Sequence, residues 1–226
     1  MTTARILIAD DHEVVRKGIR AILEAHPGWE ASGESADGRD AVEKAAALKP
    51  DVVIIDIGMP QLNGLEATRQ ILKNRPNTKV LVLTMHESEQ VVQQVLEAGA
   101  RGYLLKSDAS RDLVRAVEEL LRNKTFFTSK VAQLVLDTFL RRRPRADETG
   151  ASNVLTPRER EVVQLLAEGK STKEVASALN LSVKTAETHR SNIMRKLDIH
   201  SVSELVLYAV RNNIVQVLPA LTPTGT

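Results

Sequence analysis

The stretch Asp51-Val52-Val53-Ile54-Ile55-Asp56 decides the fold of this 226-residue chain. An apolar β-branched run of this length predicts a central parallel strand that is buried on both faces. The sequence Gly58-Met59-Pro60 then predicts a loop, and Asn63-Gly64 opens the next helix. An aspartate after a strand often only starts a loop or caps a helix, so the rest of the chain must decide whether Asp56 has a chemical role.

Strand patterns and helical patterns alternate on both sides of this stretch. Further strands are predicted at 5–9, 29–35, 79–83 and 102–105, and helices at 14–23, 37–48, 65–72, 88–98 and 110–121. Five consecutive βα units require a parallel sheet with helices on both faces. The sequence therefore predicts an α/β fold, a flavodoxin-like, doubly wound, five-stranded parallel sheet with strand order 2-1-3-4-5.

In that strand order, polar residues after four of the strands meet at one end of the sheet. They are Asp10 and Asp11 after strand one, Asp56 after strand three, Thr84 after strand four and Lys106 after strand five. The second strand lies at an edge and offers no such residue. Taken singly, a threonine or lysine at a strand end is usually a strand former or a solvated cation. The ordered set is far more specific than any member.

Three carboxylates brought together repel one another unless a cation neutralises them. Mg²⁺ favours oxygen ligands, and we expect Asp11 and Asp56 as direct ligands, Asp10 acting through water and the Gly58 carbonyl as a further ligand. Asp56 can then attack a phosphorus atom and become an aspartyl phosphate. Lys106 supplies a second positive charge, and the hydroxyl of Thr84 can donate to a phosphoryl oxygen.

The last third of the chain has an all-helical pattern. A helix is predicted at 129–140, and the arginine-rich, polar stretch 141–153 reads as a hinge. Beyond it, Ser/Thr-x-x-Glu capping boxes begin at Thr156, Ser171 and Ser201, and Ser182 caps a further helix. The turn Asn180-Leu181-Ser182 followed by a helix with one polar side predicts an all-α, four-helix domain with a helix-turn-helix. The alternative to a recognition helix is an ordinary amphipathic helix with a solvent-exposed polar face.

Composition limits the class of protein. Cysteine is absent, which excludes disulfides and thiolate metal sites. No apolar run is long enough to span a membrane, and the N-terminus lacks a signal-peptide pattern, so we expect a cytoplasmic protein with no membrane partner. Residues 1–140 carry 18 Lys+Arg against 20 Asp+Glu, whereas residues 141–226 carry 13 against 9. The mildly basic C-terminal part permits nucleic-acid binding.

Residues 5–122 resemble a response-regulator receiver domain. The resemblance rests on Asp10-Asp11, on Asp56 with Met59-Pro60 and Gly64, on Thr84, and on Tyr103 with Lys106-Ser107. It implies that a sensor histidine kinase phosphorylates Asp56 and that Thr84 and Tyr103 form the switch that reports it. Gly58 has no side chain to orient an attacking water, and His86 is the candidate for that role instead.

Residues 152–216 resemble a LuxR-type DNA-binding domain through the stretches 155–161, 184–190 and 196–197. Together the two resemblances imply a two-component response regulator of the NarL/FixJ type that binds double-stranded DNA. By this resemblance the base-reading side chains are Glu187, Thr188 and Ser191, and the phosphate-holding side chains are Lys173, Lys184, Thr185 and Arg190. The domains implied are a receiver at 1–123, a helical linker at 124–151, the DNA-binding domain at 152–216 and a tail at 217–226.

Two further expectations concern partners. Leu205, Tyr208 and Ala209, together with Ile214, line one side of a last helix that looks too small to bury them, which favours homodimerisation on activation. RNA polymerase is a further candidate partner. In the unphosphorylated protein we expect the receiver to cover part of the recognition helix or of this dimer face.

Two alternative functions remain. A phosphatase working through an aspartyl phosphate would need an acid near Asp56 for the leaving group, and Ile57-Gly58 offers none. A signalling adaptor acting only by protein contact would not need the LuxR-like segment. The resemblance instead implies that the protein is not an enzyme and catalyses only its own phosphoryl transfer and dephosphorylation.

Overall fold

The computed structural model describes residues 3–85, 88–128, 131–133 and 155–215. The chain divides into two compact units, Met1–Asn153 and Val154–Thr226. The predicted hinge at 141–153, His86 and all but 131–133 of the helix expected at 129–140 lie outside the described residues. Residues 131–133 are helical.

The first unit alternates strands and helices as the sequence predicts. The strands are β1 (Ala4–Ala9), β2 (Trp29–Ser35), β3 (Val52–Asp56), β4 (Lys79–Thr84), β5 (Gly102–Leu105) and β6 (Phe126–Phe127). The helices are α1 (Glu13–Glu24), α2 (Gly38–Leu48), α3 (Gly64–Asn74), α4 (Glu89–Glu97) and α5 (Ala109–Leu121), and a 3₁₀ turn at Lys106–Asp108 precedes α5. Asp37, Asn63 and Ser88 cap α2, α3 and α4 with their side chains.

The sheet confirms the predicted doubly wound parallel architecture and adds one strand. Its order is β2-β1-β3-β4-β5-β6, and every neighbouring pair is parallel. The sixth strand was not predicted, because two residues are too few to show an alternating pattern. It pairs Phe126 with Gly102 and Phe127 with Tyr103 at the β5 edge.

Alternate side chains of the central strands pack into two separate core layers, because successive residues of a pleated strand point to opposite faces of the sheet. Val53 and Ile55 pack with α2, α3 and α4 side chains on one face, whereas Val52 and Ile54 pack with α1 and α5 on the other. All four side chains are at most 1% exposed. This burial on both faces is what the continuous apolar run of β3 predicts.

The second unit is helical, as predicted. It contains α6 (Pro157–Ala167), α7 (Thr172–Ala178), α8 (Val183–Leu197) and α9 (Val202–Arg211) around a core of its own. Complete capping boxes begin α6 at Thr156 and α7 at Ser171. The third box differs from the prediction. Ser201 caps α9, but the Glu204 carboxylate accepts from the backbone N–H of His200. Among the described helices, none combines the length and apolarity that a membrane span needs.

Candidate functional sites

The register of the sheet aligns the predicted strand-end residues at the same end of the sheet. Ala9 of β1 pairs with Ile55, and Asp56 pairs with Leu83. Thr84 pairs with Leu105, the residue before Lys106. Because parallel strands point the same way, the residues that follow these pairs meet at the carboxyl end of the sheet.

The side chains at this end are in direct contact. Lys106 Nζ lies 2.7 Å from Asp10 Oδ2 and 2.9 Å from Asp56 Oδ2. Asp10 and Asp56 are 1% and 3% exposed, so the ammonium group of Lys106, and very little water, contacts both carboxylates. Asp11 is half-buried beside them. The structure therefore brings together Asp10, Asp11, Asp56 and Lys106 as predicted.

His12 also belongs to this cluster, although no sequence pattern indicated a role for it. One ligand atom from each of Asp10, Asp11, His12 and Asp56 lies within 4.8 Å of the others. His12 Nδ1 is 2.6 Å from Asp11 Oδ1, and the ring is half exposed. Only its place next to the two aspartates could have indicated this contact.

The electrostatics of the pocket follow from burial and crowding. Burial raises the pKa of the Asp56 carboxyl; Lys106 opposes the rise, and Asp10 and Asp11 add to it. Burial acts to lower the pKa of Lys106, but the Asp56 and Asp10 carboxylates outweigh it and leave that pKa raised. Three carboxyl groups thus face a single ammonium group in this pocket.

This donor set fits a hard divalent cation. The carboxylates of Asp10, Asp11 and Asp56 supply oxygen ligands, which Mg²⁺ prefers. A bound cation would also relieve the repulsion that Asp10 and Asp11 exert on the Asp56 carboxylate. The acidic cluster is compatible with metal binding.

The loop after Asp56 is held close to the pocket by a glycine. A Cβ on Gly64 would lie 1.8 Å from the carbonyl oxygen of Asp56, so only glycine allows α3 to start there. The N–H groups of Met59 and Gly64 both donate to the Ile57 carbonyl, at 3.0 and 2.9 Å. Gly58 lies half-buried within this loop, and its role as a carbonyl ligand stays a prediction.

Thr84 and Tyr103, the predicted switch pair, are both buried. Thr84 ends β4 and is 0% exposed. Tyr103 is also 0% exposed and packs in the core layer on the α4 side of the sheet. The tyrosine ring is therefore in the inward position in this structure. Met85, which follows Thr84, is 69% exposed.

In the second unit, α8 has one buried face and one exposed face. Ala186 and Ile193 are buried in the domain core. Six of the seven predicted DNA-contacting residues are exposed: Lys173 on α7 and Lys184, Thr185, Glu187, Thr188 and Ser191 on α8. Arg190 is half-buried, with Nη1 3.5 Å from Thr172 Oγ1 on α7. The exposed polar face therefore belongs to the second helix of the helix-turn-helix pair, as predicted.

Side chains from α6 fix the position of the helix-turn-helix pair. Arg158 Nη2 donates to the carbonyl of Leu179 at the end of α7, at 2.6 Å. Lys196 Nζ near the end of α8 lies 2.9 Å from Glu159 Oε2. Neither contact has a sequence signal, because each joins residues far apart in the chain.

The predicted dimer face needs a correction. Leu205 and Ala209 are 1% and 0% exposed, because they pack into the core of the second unit together with Ile214. Tyr208 is half-buried against the same core. The exposed apolar side chains of α9 are Val202 and Leu207, at 46% and 55%.

Comparison with known proteins gives the same two domains. Residues 6–118 match the family model of the response regulator receiver domain, and residues 153–209 match that of the bacterial regulatory proteins of the luxR family. The chain is 39% identical over 211 residues to the transcriptional regulatory protein LiaR of Bacillus subtilis, covering 93% of this chain and 99% of LiaR.

Two solved structures of the response regulator RcsB extend the similarity to the fold. RcsB from Salmonella typhimurium matches with a TM-score of 0.62 at 29% identity, covering 94% of this chain and 99% of that chain. A structure of an RcsB–DNA complex matches with a TM-score of 0.58 at 30% identity, covering 93% and 99%. The chain thus belongs to the response regulators of two-component systems that join a receiver domain to a LuxR-type DNA-binding domain and regulate transcription.

Proposed function

We propose that Asp56 accepts a phosphoryl group from the phosphohistidine of a sensor histidine kinase, and that this modification controls DNA binding by α8. The observation that carries the proposal is the contact of Asp56 with Lys106, at 2.9 Å, inside a cluster that also holds Asp10 and Asp11. A buried carboxylate at the carboxyl end of a parallel sheet, beside a cation, is suited to phosphoryl transfer.

In the transfer step, an Asp56 oxygen forms the new P–O bond as the P–N bond to the donor histidine breaks. The electron pair of that bond stays on the leaving imidazole, which takes up a proton. Lys106 offsets the negative charge that collects on the phosphoryl oxygens, and the hydroxyl of Thr84 can donate a hydrogen bond to one of them. Asp11 and Asp56 would hold Mg²⁺ directly, with the Gly58 carbonyl as a further ligand and Asp10 bound through water. When bound, Mg²⁺ neutralises and orients the phosphoryl oxygens.

The second unit supplies the output. In this proposal, Glu187, Thr188 and Ser191 on the exposed face of α8 read base edges in the major groove, and the side chains of Lys173, Lys184, Thr185 and Arg190 hold phosphates. The solved complex of the relative RcsB with DNA supports DNA binding by this chain. We further propose that activation produces a homodimer, for which Val202 and Leu207 are the available apolar side chains of α9, and that RNA polymerase is a partner.

Labelling with radioactive acetyl phosphate tests the phosphoacceptor. Wild type should become labelled when Mg²⁺ is present and should stay unlabelled when EDTA is present from the start, whereas Asp56→Asn should stay unlabelled under both conditions. Peptide mapping of the labelled wild type should locate the acyl phosphate at Asp56. Equal labelling of the two proteins would rule out Asp56 as the acceptor.

A further inference from the structure

The end of β2 contacts the acidic loop, although the sequence indicated no contribution from that strand. The backbone N–H of Asp10 donates to the carbonyl of Ser35, the last residue of β2, at 3.1 Å. Glu34, the residue before it, accepts from Arg16 on α1, with 3.2 Å between Arg16 Nε and Glu34 Oε2. The edge strand therefore reaches the loop both directly and through an arginine.

Arg16 connects this strand to the acidic loop itself. Its Nη1 donates to the carbonyl oxygen of Asp10 at 2.7 Å. The side chain is only 15% exposed, and Glu34 is 28% exposed, so water screens the contact weakly. One guanidinium group thus bridges the Glu34 carboxylate and the Asp10 backbone, which its planar fork of donors allows.

These bonds hold both peptide groups of Asp10. Ser35 accepts from its N–H and Arg16 donates to its C=O. The side chain of Asp10 is held as well, because its Oδ1 accepts a hydrogen bond from the backbone N–H of His12 at 2.9 Å. With the backbone fixed, the Asp10 and Asp11 carboxylates have few ways to turn away from Asp56.

We propose that Arg16 is a positioning residue for the cation site of the receiver: by holding the Asp10 carbonyl, it keeps the Asp10-Asp11 loop in the geometry that binds a divalent cation. This inference rests on the proposed function of that pocket. Glu34 orients the guanidinium group from the other side, and Arg20 contacts the same Glu34 carboxylate without contacting the Asp10 loop.

A positioning role and a purely electrostatic role of Arg16 predict opposite changes in cation affinity when Arg16 is removed. Arg16 is a cation close to the pocket, so its removal alone would reduce repulsion and tighten the binding of Mg²⁺ or Mn²⁺. Loss of loop order would instead weaken binding. Removing hydrogen-bond partners that orient metal ligands typically lowers metal affinity by about 10- to 100-fold.

The test measures cation binding to the full-length protein directly, without any phosphoryl donor. The variants are Arg16→Ala, Arg16→Lys and, as the matched control, Arg20→Ala, which removes a cation from Glu34 but leaves the Asp10 carbonyl bond intact. Mg²⁺ affinity is measured by isothermal titration calorimetry and Mn²⁺ affinity by the loss of the free-ion paramagnetic resonance signal. Hydrogen exchange of the Asp10, Asp11 and His12 amides reports loop order.

We expect Arg16→Ala to raise the dissociation constant of both ions about tenfold. Amide exchange in the loop should rise with it, while Arg20→Ala stays close to wild type. Arg16→Lys keeps the charge but cannot bridge both partners, so it should bind more weakly than wild type; it carries the test if Arg16→Ala does not fold. Saturating Mg²⁺ should restore acetyl phosphate labelling of the Arg16 variants, which general misfolding would not allow.

Unchanged or tighter cation binding by a folded Arg16→Ala would overturn the inference, as would an equal loss in Arg20→Ala. Wild-type affinity in Arg16→Lys would show that the bridge between Glu34 and the Asp10 carbonyl is not needed and would overturn the inference too. Failure of the proposed function looks different. In that case wild type itself would carry no label on Asp56, while the cation-binding comparison would still decide the role of Arg16.

Discussion

At the residue scale, Asp56 is placed where its ionised form is disfavoured. Burial raises the pKa of its carboxyl in spite of Lys106, with Asp10 and Asp11 adding to the effect. Between the ordinary pKa and the raised one, the folded state binds a proton that the unfolded state has lost. The stability of the cation-free protein should therefore fall as pH rises through that interval.

Asp56→Asn removes this cost. At pH 7 in EDTA we expect the variant to melt a few degrees above wild type, because an amide of the same shape carries no charge into the cluster. Adding Mg²⁺ should raise the melting temperature of wild type much more than that of the variant, since the cation offsets the same repulsion. Thermal unfolding followed by circular dichroism measures both effects, and a variant that melts below wild type in EDTA would contradict the argument.

At the scale of elements, alanine substitutions at two helix glycines should change the stability of the protein in opposite directions. Gly64→Ala places a Cβ 1.8 Å from the Asp56 carbonyl, so either α3 or the end of β3 must move. We expect a destabilisation of about 1–3 kcal/mol or more from this overpacking, together with a loss of acetyl phosphate labelling. Gly18→Ala is the matched control, because a Cβ on Gly18 of α1 has nothing within 4 Å.

Gly18→Ala should stabilise α1 by about 0.5–1 kcal/mol, since alanine loses less backbone entropy in a helix interior. Chemical denaturation of both variants, with labelling measured in parallel, compares the two positions. A Gly64→Ala protein with wild-type stability and labelling would show that the start of α3 adjusts without disturbing the pocket.

The elements also show what a sequence can and cannot predict. The start of α6 was predictable because the capping box at Thr156 is local. The convergence of Asp56 and Lys106 was predictable because parallel topology fixes which strand ends meet. The Arg16–Glu34 contact was not, because it joins residues 18 apart whose pairing depends on how α1 lies on β2. Likewise, the pattern of α9 identified an apolar side but not that the core covers Leu205.

At the scale of the whole molecule, the two units have separate hydrophobic cores. Among the residues that the structure describes, the layers around the sheet end at Val131 and the core of the helical unit begins at Leu155. A fragment from residue 147 onward therefore contains every described residue of the helical core and should fold alone. The hypothesis that the receiver restrains the DNA-binding domain can then be tested by removing the receiver.

We predict that this fragment binds DNA with the same affinity whether or not a phosphoryl donor is present. The full-length protein should bind more weakly until acetyl phosphate or a beryllofluoride mimic is added, and its dimer content in analytical ultracentrifugation should rise at the same time. A phosphoryl group shifts the balance only by its preference between two states, and a tenfold change in population needs about 1.4 kcal/mol.

The comparison of fragment and full-length protein separates two mechanisms of activation. If the receiver inhibits, removing it has the same effect as phosphorylation, and the fragment binds DNA better than the unphosphorylated full-length protein. If the fragment binds no better, inhibition by the receiver is wrong, and activation must come from dimerisation of the receivers. Asp56→Asn in the full-length protein is the control in both cases, because it should remain in the weakly binding, mainly monomeric state when the donor is added.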